Sequence, residues 1–217
     1  RIVNYTGLFI AISLAYLQFS KWVYFSDSSE NVHFRNYASA VLEPLPENAI
    51  LFINYDQQWT SVRYMQVCEG FRTDVTAIQL SMMTYPWFQY KRELYSNITF
   101  PGKYHTYPGN PNAQNNQGFT LLQFLQANPR REVYLGGKFS YSDPQLRYQY
   151  DLVPVGLLVK FVPMTSSPDG NVYSQWRKDS WAKVAQHLYR LPDINKYNTI
   201  TWEWTIVRDF KDRVTGL

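Results

Sequence analysis

Asp56 is the residue of this chain whose setting most invites chemistry. It closes the stretch "AILFINYD", in which a short apolar run, Ala49 to Ile53, gives way to Asn54-Tyr55-Asp56, and a helix-forming segment follows at once. In open α/β sheets, ligands sit beyond the carboxyl ends of the strands. A carboxylate there can serve as a general base, a metal ligand or a hydroxyl binder. It can also simply start a helix, accepting backbone N–H bonds as an N-cap and complementing the positive end of the helix dipole. The spacing favours the helix-start reading and leaves ligand binding at Asp56 open.

Other candidates are weaker. Gly136-Gly137-Lys138 follows a strand-like run but lacks the phosphate-loop spacing, so a turn is expected. Glu69 and Asp74 flank Arg72, which reads as a local ion pair at a helix–strand turn rather than an acid/base pair. His33, His105 and His187 have no metal-ligand spacing, and no metal is expected. Cys68 is the single cysteine, so no internal disulfide can form. Two sequons are present, Asn4-Tyr5-Thr6 and Asn97-Ile98-Thr99. Asn97 is the expected N-glycosylation site, because Asn4 falls in or near an apolar helix.

The 217 residues suffice for one ordinary domain plus an appendage. Aromatics make up 18%, which a large aromatic core or a membrane-facing surface explains more simply than a sugar- or base-stacking surface. Net charge is +4, but the basic residues are scattered and form no stripe, so no nucleic-acid partner is expected. The chain opens on Arg1 rather than Met and is expected to be part of a longer protein. Leu8 to Phe19 is an apolar run short of the ~20 residues of a full span. Lys21, Trp22, Tyr24 and Phe25 follow it, as anchors do at the end of a membrane helix.

The elements that would position these residues follow from period and punctuation. Ser28 to Asn31 resembles a helix start, and Pro44 and Pro46 end that helix. Ala49 to Ile53 suits a strand buried on both faces. Gln57 to Glu69 has helical spacing, with Gly70 as its stop. Thr73 to Met83 is a second strand, completing a parallel βαβ unit. Glu132 to Gly137 is a third strand, and Leu152 to Pro163 holds a fourth. Helices are expected at Phe119 to Ala127, stopped by Pro129, at Val172 to Leu191 and at Thr201 to Val214. Pro101 to Gly118 reads as a long loop. The fold class is α/β: a small three-layer, Rossmann-like domain with a mostly parallel sheet, preceded by the end of a membrane helix and followed by helices. The expected division is a membrane-proximal helix over 1–25, an α/β domain over 26–192 and the start of a helical region over 193–217.

Arg35 to Trp87 resembles the soluble region of the transmembrane protein 260 family. The shared pattern includes Tyr37-Ala38, Asn48-Ala49, Asp56, Glu69-Gly70, Arg72-Thr73-Asp74-Val75 and Tyr85 to Trp87, and it continues through "YLGGKF" and "LVPVGLL". The resemblance implies a protein O-mannosyltransferase of the endoplasmic-reticulum membrane, with this region lumenal and 193–217 leading into helical repeats. It implies mannose transfer from dolichyl-phosphate-mannose, a co-substrate rather than a bound cofactor, to Ser or Thr of folded immunoglobulin-like plexin/transcription-factor domains. Such enzymes carry their catalytic carboxylate between membrane helices, so no catalytic residue is assigned here. The chain alone is expected to be inactive and to position the acceptor. The rival reading is an independent soluble α/β enzyme that binds a phosphate or sugar ligand near Asp56.

Overall fold

The computed structural model describes residues 2–26, 32–95, 97–107, 117–137, 143–188 and 193–215. It forms two compact units, residues 1–32 and 33–217. The first unit is one helix, α1 (Ile2–Ser26). Leu8, Phe9, Ile10, Leu14, Leu17 and Trp22 are all exposed on it, at positions spread around the axis, so its apolar surface runs around the whole helix. Among the described residues no helix is long and apolar enough to cross a membrane. The helix start expected at Ser28 to Asn31 lies outside the described residues.

The second unit begins with α2 (His33–Leu42), which ends just before Pro44. Then come β1 (Ile50–Ile53), α3 (Asp56–Cys68) and β2 (Thr76–Gln79). β1 and β2 are parallel, in register from Ile50 opposite Thr76 to Ile53 opposite Gln79, so the βαβ unit forms as read. Glu69 caps α3 and Gly70 follows at φ +64°. Beyond β2 lie a 3-10 turn at Met82–Thr84, the single-turn helix α4 (Phe88–Lys91) and a second 3-10 turn at Arg92–Leu94.

Part of the expected long loop is ordered as strand: β3 (Tyr104–His105) pairs in parallel with β4 (Gly118–Phe119). Residues 108–116 of that loop lie outside the described residues. α5 (Leu121–Ala127) begins with a capping box, in which the Gln123 backbone N–H donates to Thr120 Oγ1 and the Thr120 N–H donates to Gln123 Oε1. It leads to β5 (Val133–Gly136), parallel to β1 on the side away from β2. α6 (Pro144–Gln149) follows, with Asp143 as its N-cap.

One sequence expectation is corrected here. Leu152 to Pro163 holds not one strand but most of a hairpin, β6 (Tyr150–Val155) and β7 (Leu158–Pro163), antiparallel to each other, with β7 antiparallel to its neighbour β5. Gly156 stands at φ +58° in the two-residue turn, where a side chain would be strained. The sheet order is β2-β1-β5-β7-β6, a parallel core with an antiparallel hairpin added at one side. α7 (Gly170–Leu188) and α8 (Trp202–Thr215) complete the unit.

Two cores lie on the two faces of the sheet, giving three layers. Leu51, Ile53, Ala77 and Tyr134 pack with α2, α3, α7 and α8. Ile50, Phe52, Ile78, Val133 and Leu135 pack with α5 and α6. Alternate residues of one strand thus enter different cores, which is why β1 reads as an unbroken apolar run. The second core explains much of the aromatic content. Phe100 contacts Phe88, Phe119 and Phe124 at 5.6, 6.2 and 5.5 Å between ring centroids, and Phe52 meets Phe124 edge-on at 5.0 Å. Truncating Phe52 to Ala is expected to cost about 3–5 kcal/mol.

Candidate functional site

The connection after β1 leads to α3 on one face of the sheet, and α6 after β5 packs on the other. The carboxyl ends of β1 and β5 are therefore a switch point, the place where α/β sheets take ligands. Asp56 lies there, exposed, as the first residue of α3. The N-cap reading of Asp56 is corrected: the N-cap is Tyr55, which makes no side-chain cap bond. The Asp56 carboxylate instead accepts a hydrogen bond from Gln79 Nε2 at 2.7 Å, at the end of β2. It sits in the first helical turn, where the dipole favours negative charge. Asp56 thus ties the start of α3 to the end of β2.

Beneath it, Gln58 is fully buried and donates to the Tyr37 hydroxyl, which in turn donates to Asp209 Oδ2 at 2.7 Å. This chain links α3, α2 and α8. Gly136 at the end of β5 has no room for a side chain, because an added Cβ would meet Gln58 Oε1 at 2.0 Å. Gly137 turns the chain at φ +88°. The pair is therefore a close-packed turn, and Lys138 lies outside the described residues.

Arg72 is the other fixed point. Its guanidinium grips Asp74 through both carboxylate oxygens at 2.8 Å, and donates to the carbonyls of Leu42, Leu45 and Pro46. These bonds hold the proline corner that ends α2. The hydrogen bond from Arg72 brings the Asp74 carboxyl down to about 2. Glu69 does not join this pair; it bonds Arg35 of α2 at 2.8 Å. The ion-pair reading of Arg72 therefore holds for Asp74 alone.

The three histidines lie apart in function. His33 bonds the Tyr197 hydroxyl, with burial lowering its pKa. His105 is buried, which brings its pKa down to about 4, and His187 contacts Glu43. Among the described residues no group of three or more His, Cys, Asp or Glu side chains is placed to hold a metal. Cys68 is exposed at the end of α3.

The segment leaving β2 carries a surface that the sequence reading had noted only as part of a pattern. Tyr85 and Trp87 stack nearly parallel, with centroids 5.8 Å apart, and Lys91 lies 5.4 Å from the centre of the Trp87 ring. Tyr85, Trp87, Tyr90 and Leu94 are all exposed. Residues 34–117, which include Asp56, Arg72 and this aromatic surface, match the model of TMEM260-associated domain 2. The chain is similar to the transmembrane protein 260 family over this stretch. It is 29% identical over 180 residues to the protein O-mannosyl-transferase tmem260 of Dictyostelium discoideum, covering 82% of this chain and 21% of that protein. It is likewise 29% identical over 170 residues to the protein O-mannosyl-transferase TMEM260 of Mus musculus, covering 75% of this chain and 24% of that protein. The chain therefore spans between a fifth and a quarter of the length of these relatives. No solved structure matches it.

The Asn97 sequon is accessible and firmly held. Asn97 is exposed, and Thr99 is clasped by Asn128, whose amide accepts from the Thr99 N–H at 2.9 Å and donates to its carbonyl at 2.8 Å. The side chain of Asn4 lies outside the described residues. The sequence reading did not single out Lys160. Its Nζ bonds Glu132 at 2.8 Å and lies 4.1 Å over the Trp176 ring. A lysine in an otherwise apolar strand, "LLVKFVP", was the available signal.

Proposed function

We propose that this chain is the acceptor-positioning, lumenal region of an endoplasmic-reticulum protein O-mannosyltransferase. The relatives' names supply the chemistry: both are protein O-mannosyl-transferases. In this reading the intact membrane enzyme transfers mannose from dolichyl-phosphate-mannose to Ser or Thr of folded immunoglobulin-like plexin/transcription-factor domains. Residues 1–25 form the end of a membrane helix, 26–192 the α/β domain, and 193–217 the start of a helical region.

The observation that carries the positioning role is the exposed Tyr85–Trp87 stack with Lys91, Tyr90 and Leu94 beside it. Exposed Tyr and Trp on a rigid support are the residues that anchor protein interfaces. Asp56 and its Gln79 bond hold the strand end from which this segment departs, and the Arg72 clasp fixes the corner behind it. The chemistry of transfer needs a positioned base, which this reading places in the rest of the enzyme.

The test is direct. The purified chain is titrated with a folded acceptor domain, and is separately incubated with that domain and dolichyl-phosphate-mannose. Saturable binding without mannose transfer is expected. Transfer by the chain alone, or no binding at any concentration, would contradict the reading.

A further inference from the structure

A cavity of about 310 Å³ lies beside the amino end of β5, at the opposite end of the strands from Asp56. The corner at Pro44 and Pro46, which Arg72 holds, forms one wall. α7 forms the other. Trp176, Asp179, Ser180 and Lys183 line the cavity from that helix, at spacings of three and four residues that put them on one face. Ser180 pins this face to the sheet: its hydroxyl accepts from the Gly156 N–H of the hairpin turn at 2.9 Å and donates to the Arg177 carbonyl at 2.9 Å. The floor is Lys160 and Glu132. Lys160 is buried, lies 4.1 Å from the centre of the Trp176 ring and donates from Nζ to Glu132 at 2.8 Å. Glu132 also accepts from the Tyr134 hydroxyl at 2.7 Å. Tyr134 and Lys160 are opposite each other in the β5–β7 register, so both side chains project to this same face of the sheet.

Charge decides what such a cavity can hold. Glu132 and Asp179 balance Lys160 and Lys183, so the lining is neutral as a whole. An anion loses against the carboxylates what it gains from the lysines, and a cation the reverse. An apolar ligand fails for another reason: it strips water from charged groups and returns no hydrogen bonds. A neutral ligand dense in hydroxyls satisfies both kinds of group, because each hydroxyl donates one hydrogen bond and accepts others. Bonds of this kind to ionised groups are the strong ones. Among the described residues Lys183 forms no ion pair, so its ammonium is available to such a ligand. Trp176 and Val155 add apolar surface for the C–H groups of a ring. The volume lies at the small end of ligand sites, which suits a small saccharide.

We propose that this cavity is a binding site for a neutral saccharide, its hydroxyls held by Asp179 and Lys183 at the rim and by Glu132 and Lys160 at the floor. The saccharide can be a free sugar or part of a glycan carried by a protein. The proposal rests on the cavity alone and stands independently of the transferase reading.

The full chain, in a neutral detergent that carries no sugar, is titrated with glucose, galactose and mannose and followed by saturation-transfer NMR. Saturable binding of at least one is expected. A phosphorylated and an amino analogue of the sugar that binds, one anionic and one cationic, are expected to bind no more tightly than the neutral sugar. Asp179→Ala and Lys183→Ala each weaken binding by about tenfold, the loss of a charge-assisted hydrogen bond. Both residues are exposed on α7, so their removal keeps the fold. Lys178→Ala, exposed on the same helix and outside the lining, leaves binding unchanged. An array of neutral glycans identifies the source. Retention on the array that the free sugar competes assigns a glycan, and sugar binding without retention assigns a free sugar. No saturable binding of any of the three sugars, tighter binding of a charged analogue, or binding that both Asp179→Ala and Lys183→Ala leave unchanged overturns the proposal.

Discussion

Arg72 and Asp74 meet side-on: Nε and Nη2 of the guanidinium reach Oδ1 and Oδ2 of the carboxylate, each at 2.8 Å. The same guanidinium binds three carbonyls of the α2 corner, and its backbone sits at φ +48°, where a branched or bulky side chain is rarely found. Asp74 also accepts from the Asn48 N–H, at a second residue with positive φ, 58°. Two strained turns are thus held by one ion pair. Arg72→Ala is expected to cost about 2–4 kcal/mol in urea unfolding. Arg72→Lys should recover little of it, because an ammonium lacks the fork. A loss as small as that of a surface ion pair, below about 1 kcal/mol, would contradict this role.

Asp74 makes that stability depend on pH. Its carboxyl falls from an ordinary 3.8 to about 2 in the folded state. A depressed folded value means the contribution is fully present above pH 3.8 and is lost as pH falls towards 2. The stability difference between the native chain and Asp74→Asn should therefore be constant near neutrality and shrink between those two values. A difference that stays unchanged down to pH 2 would show that the carboxylate's charge is not what Arg72 uses.

Gly136 tests the packing behind the switch point. Gly136→Ala places a methyl against Gln58 Oε1, and overpacking of this kind costs about 1–3 kcal/mol. In a double-mutant cycle, Gln58→Ala should relieve part of that cost, since it removes the atom being struck. Strict additivity of the two substitutions would contradict the contact.

Much of this architecture was legible from period and punctuation. β1, β5 and α3 fall within a residue or two of their expected bounds, because a strand buried on both faces and a helix ended near Gly70 leave clear signatures. The hairpin was missed for a physical reason. Val155-Gly156-Leu157-Leu158 is apolar throughout, so the turn glycine lay hidden inside a run that looks like one strand. α6 was missed because only Leu146 of it is buried, leaving no apolar period, although Asp143-Pro144 is a helix-start signal.

The site was less legible. Asp56 was found by its place after a strand, but its partner Gln79 lies 23 residues on, and only the parallel register brings the two together. The Glu132–Lys160–Trp176 cluster joins β5, β7 and α7, and no local spacing announces a contact of that kind.

Asn97 should carry an N-glycan when the protein is made in a secretory system, and Asn4 should not. The exposed Asn97 side chain motivates the first expectation and the apolar setting of Asn4 the second. Glycosidase treatment should shift the mobility of the native chain and not that of Asn97→Gln. A shift that persists in Asn97→Gln, or none in the native chain, would contradict this.

The most direct measurement of the proposed function is O-mannosylation of a folded acceptor domain in cells that lack the proposed transferase and are rescued with full-length variants. If the aromatic surface positions the acceptor, Tyr85→Ala with Trp87→Ala should lower transfer by about tenfold or more at normal protein level, as removal of an interface anchor does. Asp56→Asn should support transfer nearly as well as the native protein, since an Asn at the start of α3 still accepts from Gln79 and should cost less than about 1 kcal/mol. Full transfer by the aromatic variant, together with loss of transfer in a well-expressed Asp56→Asn, would contradict the account and move the working site to Asp56.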